Sequence, residues 1–435
     1  MRRTRVRILI ALLLLLGLGA FWAHRSLKAH GHPGLPTLLG QLVRNYPKSF
    51  AAEPPVLEIN VDEAAMERLQ AVVDQARERG VILPEGNEFV QAGINGPTGG
   101  FKAKVRIKGK MSDHVEGEKW SFRVVARKDG GFLGMKRFSL QHPGTRNYLT
   151  EWLHHRLMAG EGLVALRYGF CKVVFNGEDL GVYAYEEHFG PELLEHNGRM
   201  QGPLVRFDPS LFWQHRLNGV EGEDYRDGYG EQQAAALDAF GSGDLRKDSA
   251  ANRVFEQAMT LMDAFRTGQL SASAVFDATR TGRRLAMLDL LGGHRSMDWS
   301  DVKFHFDPLA QRFEPVAYES VSGFRIEEIA GAFRVTGPPS PTDEFHTALL
   351  KDPVIFAAYV QALERYTKKE WLDSAFRALG GALDTASATL YGEFPYKELD
   401  RSLYYRNQRI MARALQLPKP FHAYAQQRSG DTLVF

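Results

Sequence analysis

The dominant spacing of apolar residues shifts from a period of two in the first part of this chain to a helical one in the second, and that shift is the tightest constraint on its fold. From Phe101 to Tyr185 hydrophobic side chains fall on alternate positions, in segments rich in Val, Phe, Ile and Tyr: Lys102 to Ile107, Trp120 to Arg127, Arg137 to Leu140, Tyr168 to Phe175 and Gly181 to Tyr185. A period of two belongs to strands with one buried face, so these segments predict an antiparallel sheet. Asn176-Gly177 separates two of them and supplies the pair of positive-φ residues that a tight type I′ hairpin needs. One helix interrupts the strands, from Tyr148 to Ala159, with Leu149, Trp152, Leu153, Arg156 and Leu157 at helical spacing and Gly160 after its end. Upstream, Val56 to Val61 alternates as a strand, and Asp62 stands at the N-cap of an amphipathic helix reaching Arg79.

Past Asp208 the period becomes helical. Glu231 to Ala239, Ser249 to Arg266, Ser273 to Thr279 and Arg284 to Leu291 carry apolar residues at i, i+3 and i+4, and helices resume from Asp343 to Ala414. A strand pair interrupts them, Val302 to Phe306 and Arg312 to Tyr318, joined by the turn Asp307-Pro308-Leu309-Ala310. A sheet-rich first part and a helix-rich second part predict an α+β fold, with a cleft where the two meet. The reading divides the chain into an N-terminal apolar segment (1–28), a linker (29–55), a sheet-rich part (56–208) and a helical part (209–435), the last two forming one domain over 56–420.

At the N-terminus Arg2, Arg3, Arg5 and Arg7 precede an unbroken apolar run, Ile8 to Ala23. Basic residues followed by an apolar stretch are the order of an export signal, with the charges held on the cytoplasmic side. As a helix the run reaches roughly 24 Å against the ~30 Å hydrocarbon core, so its length fits either a cleaved signal or a retained anchor. Cutting after Ala23 or Ala20 would place Phe21 or Leu18 where a small residue is wanted, which favours an anchor. The expectation is a domain tethered to a membrane on its extracytoplasmic side, facing the periplasm of a bacterial inner membrane or exported. The spacer that follows contains His30 and His32, a His-x-His pair typical of a solvated linker.

Composition narrows the function. With 54 Lys and Arg against 52 Asp and Glu the chain is nearly neutral, and it has no Lys/Arg cluster outside the first residues, so nucleic acid is excluded as a partner. The single cysteine, Cys171, lies in a strand-like run and is read as core. No G-x-x-x-x-G-K-[ST] loop, H-E-x-x-H, G-x-S-x-G elbow or C-x-x-C pair occurs. His154 and His155 are adjacent on one helix, so they are expected to point in different directions, the wrong spacing for joint metal ligation, and to serve structural or surface roles.

An ordered series of polar residues punctuates the sheet: Lys104-Val-Arg-Ile-Lys-Gly109, Lys119-Trp-Ser-Phe-Arg-Val124, Gly131-Gly-Phe-Leu-Gly-Met-Lys-Arg-Phe-Ser-Leu140, and Val173-Val-Phe-Asn-Gly-Glu-Asp-Leu-Gly-Val-Tyr-Ala-Tyr-Glu-Glu187. This series resembles the spore-coat-protein-H-type (CotH) kinase family, whose members show an "irxxG" strand, a "KxSyr" strand, "GxkxlxL", an "NGxxxGxYxxxE" hairpin, a "Dwxxn" segment and a "pwDxD" strand end. The likeness runs in order from Glu58 to Glu319, and helices like those from Leu349 to Leu417 follow in the family. It implies an atypical protein-kinase-like fold and a phosphotransferase using ATP and Mg²⁺.

The resemblance also implies roles for residues. Asp298, in His294-Arg-Ser-Met-Asp-Trp-Ser-Asp301, takes the place of the catalytic-type aspartate, and Asp301 falls near the metal-binding asparagine. Glu319 stands at the first aspartate of "pwDxD", as a second metal ligand, and Val321 replaces the second. Lys119 and Arg123 lie four apart and are expected to share a strand face that presents two cations to phosphate. Glu151 is assigned to pair one of them from its helix, and Glu187 to contact the nucleotide. The function implied is a membrane-tethered kinase acting on a hydroxyl of an envelope or secreted protein. The departures at Glu319 and Val321 keep a second expectation open, a degenerate kinase fold that scaffolds envelope or surface-polymer assembly.

Overall fold

In a computed structural model the described residues are 2–29, 33–83, 86–128, 130–211, 214, 235–331, 344–416, 427–429 and 432–434. Twelve of its strands carry the architecture, in chain order β1 (Val56–Asn60), β2 (Val90–Gly96), β3 (Gly99–Ile107), β4 (Phe122–Ala126), β5 (Arg137–Gln141), β6 (Val164–Ala165), β7 (Tyr168–Phe175), β8 (Glu178–Glu187), β9 (Leu204–Phe207), β10 (Leu237–Ala239), β11 (Lys303–Asp307) and β12 (Arg312–Ala317). Mixed helix and sheet make the fold α+β. The chain folds into two compact units, each assembled from separated segments: Met1–Leu149 with Gly169–Glu186 and Leu379–Leu399, and Thr150–Tyr168 with Glu187–Ala378 and Asp400–Phe435.

In the first unit seven strands close into a barrel in the order β1-β2-β3-β4-β5-β8-β7. The strand from Val56, read separately in the sequence, adds one parallel pairing to the strands predicted between Phe101 and Tyr185. β1 pairs with β7 in parallel, from Val56 opposite Lys172 to Ile59 opposite Phe175. That one pairing joins the ends of the sheet, so neither β1 nor β7 leaves an open edge. Alternation fills the interior: Val105 and Ile107 of β3, Phe122 and Val124 of β4, Phe138 and Leu140 of β5, with Cys171, Val173 and Tyr183, belong to one buried cluster. Cys171 is thus core, as its sequence context predicts. β2 lies outside the predicted strands; two glycines in Val90-Gln-Ala-Gly-Ile-Asn-Gly96 mask its alternation, and its long pairing with β3 supplies the stability.

The helix Glu63–Arg79 packs into the same cluster through Ala65, Leu69, Val72, Val73 and Ala76, a stripe at helical spacing. Its ends are those expected: the Asp62 carboxylate accepts from the Ala65 N–H at 2.7 Å, and Gly80 closes the helix at φ 78°. The Asn176-Gly177 hairpin also forms as predicted, with φ 48° and 85°. The N-terminal helix Arg2–Ala29 is longer than the apolar run alone. Its portion Val6–Ala29 is long and apolar enough to cross a membrane, and a signal sequence shares those properties. Twenty-four residues span roughly 36 Å, against ~30 Å for the hydrocarbon core.

In the second unit a five-stranded sheet runs β10-β9-β11-β12-β6, with β6 parallel to β12 and the other pairs antiparallel. Phe207, Phe265, Phe276, Trp299, Phe304, Phe306, Phe313 and Phe345 belong to one aromatic-rich core. The helix predicted over Glu231 to Ala239 is corrected: residues 231–234 lie outside the described ones, and Leu237–Ala239 is β10, whose pairing with β9 outweighs its helical spacing. The helix predicted from Ser273 to Thr279 is also broken. Ala272–Val275 ends at an extended Phe276, and Asp277 caps a new helix, Ala278–Leu291, by accepting from the Arg280 N–H at 2.8 Å. Ser249–Arg266 forms as predicted, capped by Asp248. The last predicted helical stretch begins at Asp343, outside the described residues; from Glu344 it consists of several helices ending with Arg401–Leu415. Gly160 belongs to the helix Leu149–Gly160 rather than following it.

Candidate functional site

The three acids singled out in the sequence all belong to the second unit, on two connections beside β11 and β12. Asp298 follows a single 3₁₀ turn, His294–Met297. Its Oδ1 accepts from the Ser300 N–H at 2.9 Å, and its carbonyl accepts from the Asp301 N–H at 2.9 Å. This side-chain-stabilised turn sets Asp298 and Asp301 on one short loop. Between them Trp299 is buried, at 6.4 Å from Phe207 between ring centroids. Glu319 follows the end of β12 and accepts from the Tyr318 hydroxyl at 2.6 Å.

What joins the three is Lys303, the first residue of β11, which sequence reasoning missed. Its ammonium is buried, donates to the Ser300 carbonyl at 2.9 Å and lies 5.1 Å above the Tyr318 ring. Burial pulls its pKa down from 10.5 to about 8, while the negative charges of Asp301, Glu319 and Asp298 oppose that fall. One ammonium therefore feels all three acids. The available signal was a lysine opening a strand, Lys303-Phe-His-Phe, whose next three residues are all buried. Arg284, buried on the helix Ala278–Leu291, is held down to about 10 by burial against the pull of Asp301, and donates to the Ser296 carbonyl at 2.8 Å.

Because the folded-state pKa of Lys303 lies below its unfolded value, the unfolded chain binds the extra proton between about pH 8 and 10.5. Stability contributed through this group must therefore rise with pH across that window, by roughly 1 to 3 kcal/mol. Lys303→Met is expected to flatten that rise. Urea midpoints at pH 7.5 and 9.5 for both chains measure it, and equal pH slopes would count against the buried ammonium.

The backbone around Glu319 is unusual. Glu319 and Val321 take φ values of 37° and 41°, in the region that a β-branched residue such as Val strongly disfavours. Such conformations cost about 1 to 3 kcal/mol each and persist only where neighbours hold them. Ser320, between the two, is held by Glu151: its Oγ donates to Oε2 at 2.8 Å and its N–H to Oε1 at 3.2 Å. The sequence assigned Glu151 to a strand cation; its fully buried carboxylate instead meets Ser320, His154 and His155. The expected divergence of the two histidines is corrected as well. Positions i+3 and i+4 straddle the residue one turn earlier, and helical side chains lean toward the N-terminus, so both imidazoles reach Glu151.

The cations belong to the first unit. Strand β4 starts at Phe122, so Lys119 precedes it and the expected shared strand face does not form. Lys119 pairs with Glu393 at 2.8 Å, donates to the Val182 carbonyl and lies over the Tyr183 ring; burial lowers its pKa against the pull of Glu393. Arg123 sits in β4, with Arg106 of β3 on one side and Ser139 of β5 on the other. Arg106 donates to the Ile107 carbonyl at 3.2 Å and lies over the Phe89 ring. Sequence reasoning did not single out Arg106, since cross-strand register is needed to see it. On the same barrel, buried Lys108 bonds Glu186 at 2.8 Å and Gln141 at 2.6 Å. Glu187, assigned to the nucleotide, is buried in the second unit in a forked pair with Arg167, whose Nε donates to it at 3.0 Å.

Comparison with known proteins places these observations. No curated protein matches the chain. A family model described as CotH kinase protein matches residues 105–244, about a third of the chain. The matched stretch holds Arg106, Lys119, Arg123, the Asn176-Gly177 hairpin and Glu187, while Asp298, Asp301 and Glu319 follow it. With the strands of that stretch in the order its motifs predicted, residues 105–244 of this chain are similar to the CotH kinase family.

Proposed function

We propose that this chain is a kinase-type phosphotransferase that moves phosphate from ATP to a hydroxyl group. The observation that carries the reading is that Asp298, Asp301 and Glu319 lie on two connections beside β11 and β12 and each pull electrostatically on the buried ammonium of Lys303. A set of carboxylate oxygens is the donor chemistry that Mg²⁺ prefers, so the residues fit that ion in type. In this reading Asp301 and Glu319 hold the cation, and Asp298 orients the acceptor hydroxyl and takes up its proton. A planar fork for phosphate oxygens is the chemistry that the family resemblance assigns to Arg123. Lys119, tied to Glu393, and Glu187, tied to Arg167, act by holding their own segments. Mg²⁺ and ATP, when bound, supply the phosphoryl group and neutralise its charge. The α+β architecture is read as the atypical kinase-like fold. The acceptor is a hydroxyl on an envelope or secreted protein, with the N-terminal helix as tether and the main domain extracytoplasmic.

One observation favours the second reading, a degenerate kinase fold acting as a scaffold. Lys303 already places a positive charge among the acids, and Val321 stands where a second aspartate would be, so a divalent ion competes with a resident ammonium. The full chain, purified in detergent, separates the two. Mg²⁺-dependent thermal stabilisation by ATP together with ³²P transfer to envelope extracts supports the kinase. Stabilisation without transfer supports the scaffold, and a thermal midpoint indifferent to ATP and Mg²⁺ removes both.

A further inference from the structure

The helix Leu149–Gly160 buries a polar face as well as an apolar one. Glu151, His154 and His155 are 0, 1 and 3 % exposed. Nδ1 of His154 lies 3.4 Å and Nε2 of His155 lies 3.3 Å from the same oxygen, Oε1 of Glu151. One donor atom from each residue falls within 4.8 Å of the others. Both separations are longer than the 2.7 to 3.2 Å of an ordinary N–H···O bond, and neither ring nitrogen of His155 has a hydrogen-bond partner. A buried imidazole that makes no full hydrogen bond is costly, and native proteins rarely keep one.

A tetrahedral ion resolves the geometry. Donors about 2.0 to 2.1 Å from a zinc-sized ion sit about 3.3 Å from one another, which is the spacing found at Glu151. Ser320 bonds the same carboxylate through Oγ and N–H and orients it, as outer partners of metal ligands do.

We propose that Glu151, His154 and His155 form a binding site for a divalent transition-metal ion of the zinc class. Three protein donors leave one tetrahedral position to a small ligand such as water. The ion braces Ser320 between the two positive-φ residues Glu319 and Val321, so its role is structural. The site stands on its own donors and is independent of any nucleotide chemistry.

The test uses the full chain in detergent with Co²⁺ as probe. One Co²⁺ per chain is expected, with the visible absorption of a tetrahedral ion, displaced by Zn²⁺. Zn²⁺ should raise the thermal midpoint by several degrees, and a chelator should reverse the rise. His155→Gln should weaken Co²⁺ binding by about a hundredfold or more, since outer partners alone are worth ten- to a hundredfold. The pair His30→Asn and His32→Asn should leave the signal intact. Zinc-edge X-ray absorption of the loaded wild-type chain should count two imidazoles, a readout that stands even where His155→Gln does not fold. The proposal is overturned by a folded wild-type chain that takes up no Co²⁺, by a signal lost with His30 and His32, or by a zinc environment without imidazole.

Discussion

Asp298→Asn is expected to lower the rate of ³²P transfer by about a hundredfold to ten-thousandfold, the range for removing a positioned general base. Asparagine is the informative substitution. Its side-chain oxygen can still accept from the Ser300 N–H, the bond that Oδ1 makes at 2.9 Å, so the loop keeps its turn while the negative charge is lost. Nucleotide-dependent thermal stabilisation should survive, because the ion is assigned to Asp301 and Glu319. Asp301→Asn should do the reverse and abolish the Mg²⁺ dependence of stabilisation. Initial rates at saturating ATP decide the matter: a variant within a few-fold of wild type would remove Asp298 from the chemistry.

Trp299→Ala is expected to cost about 3 to 5 kcal/mol, the range for truncating a large buried aromatic. Trp299 is 1 % exposed in the aromatic core that also holds Phe207. Domains are stable by about 5 to 15 kcal/mol, so the loss is a large share of the whole. The site suffers with the fold, since Trp299 anchors the loop between Asp298 and Asp301. Urea unfolding followed by far-ultraviolet circular dichroism measures the change without relying on the fluorescence of the deleted ring. A loss below about 1 kcal/mol would mean that the indole is not the anchor its burial indicates.

Features legible in the sequence are those whose physics is local. Asp62 and Gly80 bracket one helix, Asp248 starts another, and Asn176-Gly177 makes its hairpin, because a cap or a tight turn is settled within a few residues. Where long-range pairing competes with local preference the reading fails. Leu237–Ala239 has helical spacing but joins β9, and Phe276 breaks a helix to enter the aromatic core. Lys119 and Arg123 are four residues apart, yet only Arg123 is in the strand, so alternation did not apply to both.

From the sequence by itself come the α+β character, the N-terminal apolar helix, the order of the motifs and the identity of the acids. Tertiary structure alone decides which side chains meet. Lys303 is buried where Asp298, Asp301 and Glu319 all act on its charge; Arg106 falls opposite Arg123 in register; Glu151 turns to His154, His155 and Ser320. The reason is geometric. Spacing along one element sets the face a residue occupies, while its neighbours on that face come from strand register and from chain segments far away in sequence, here as far as from Glu151 to Ser320.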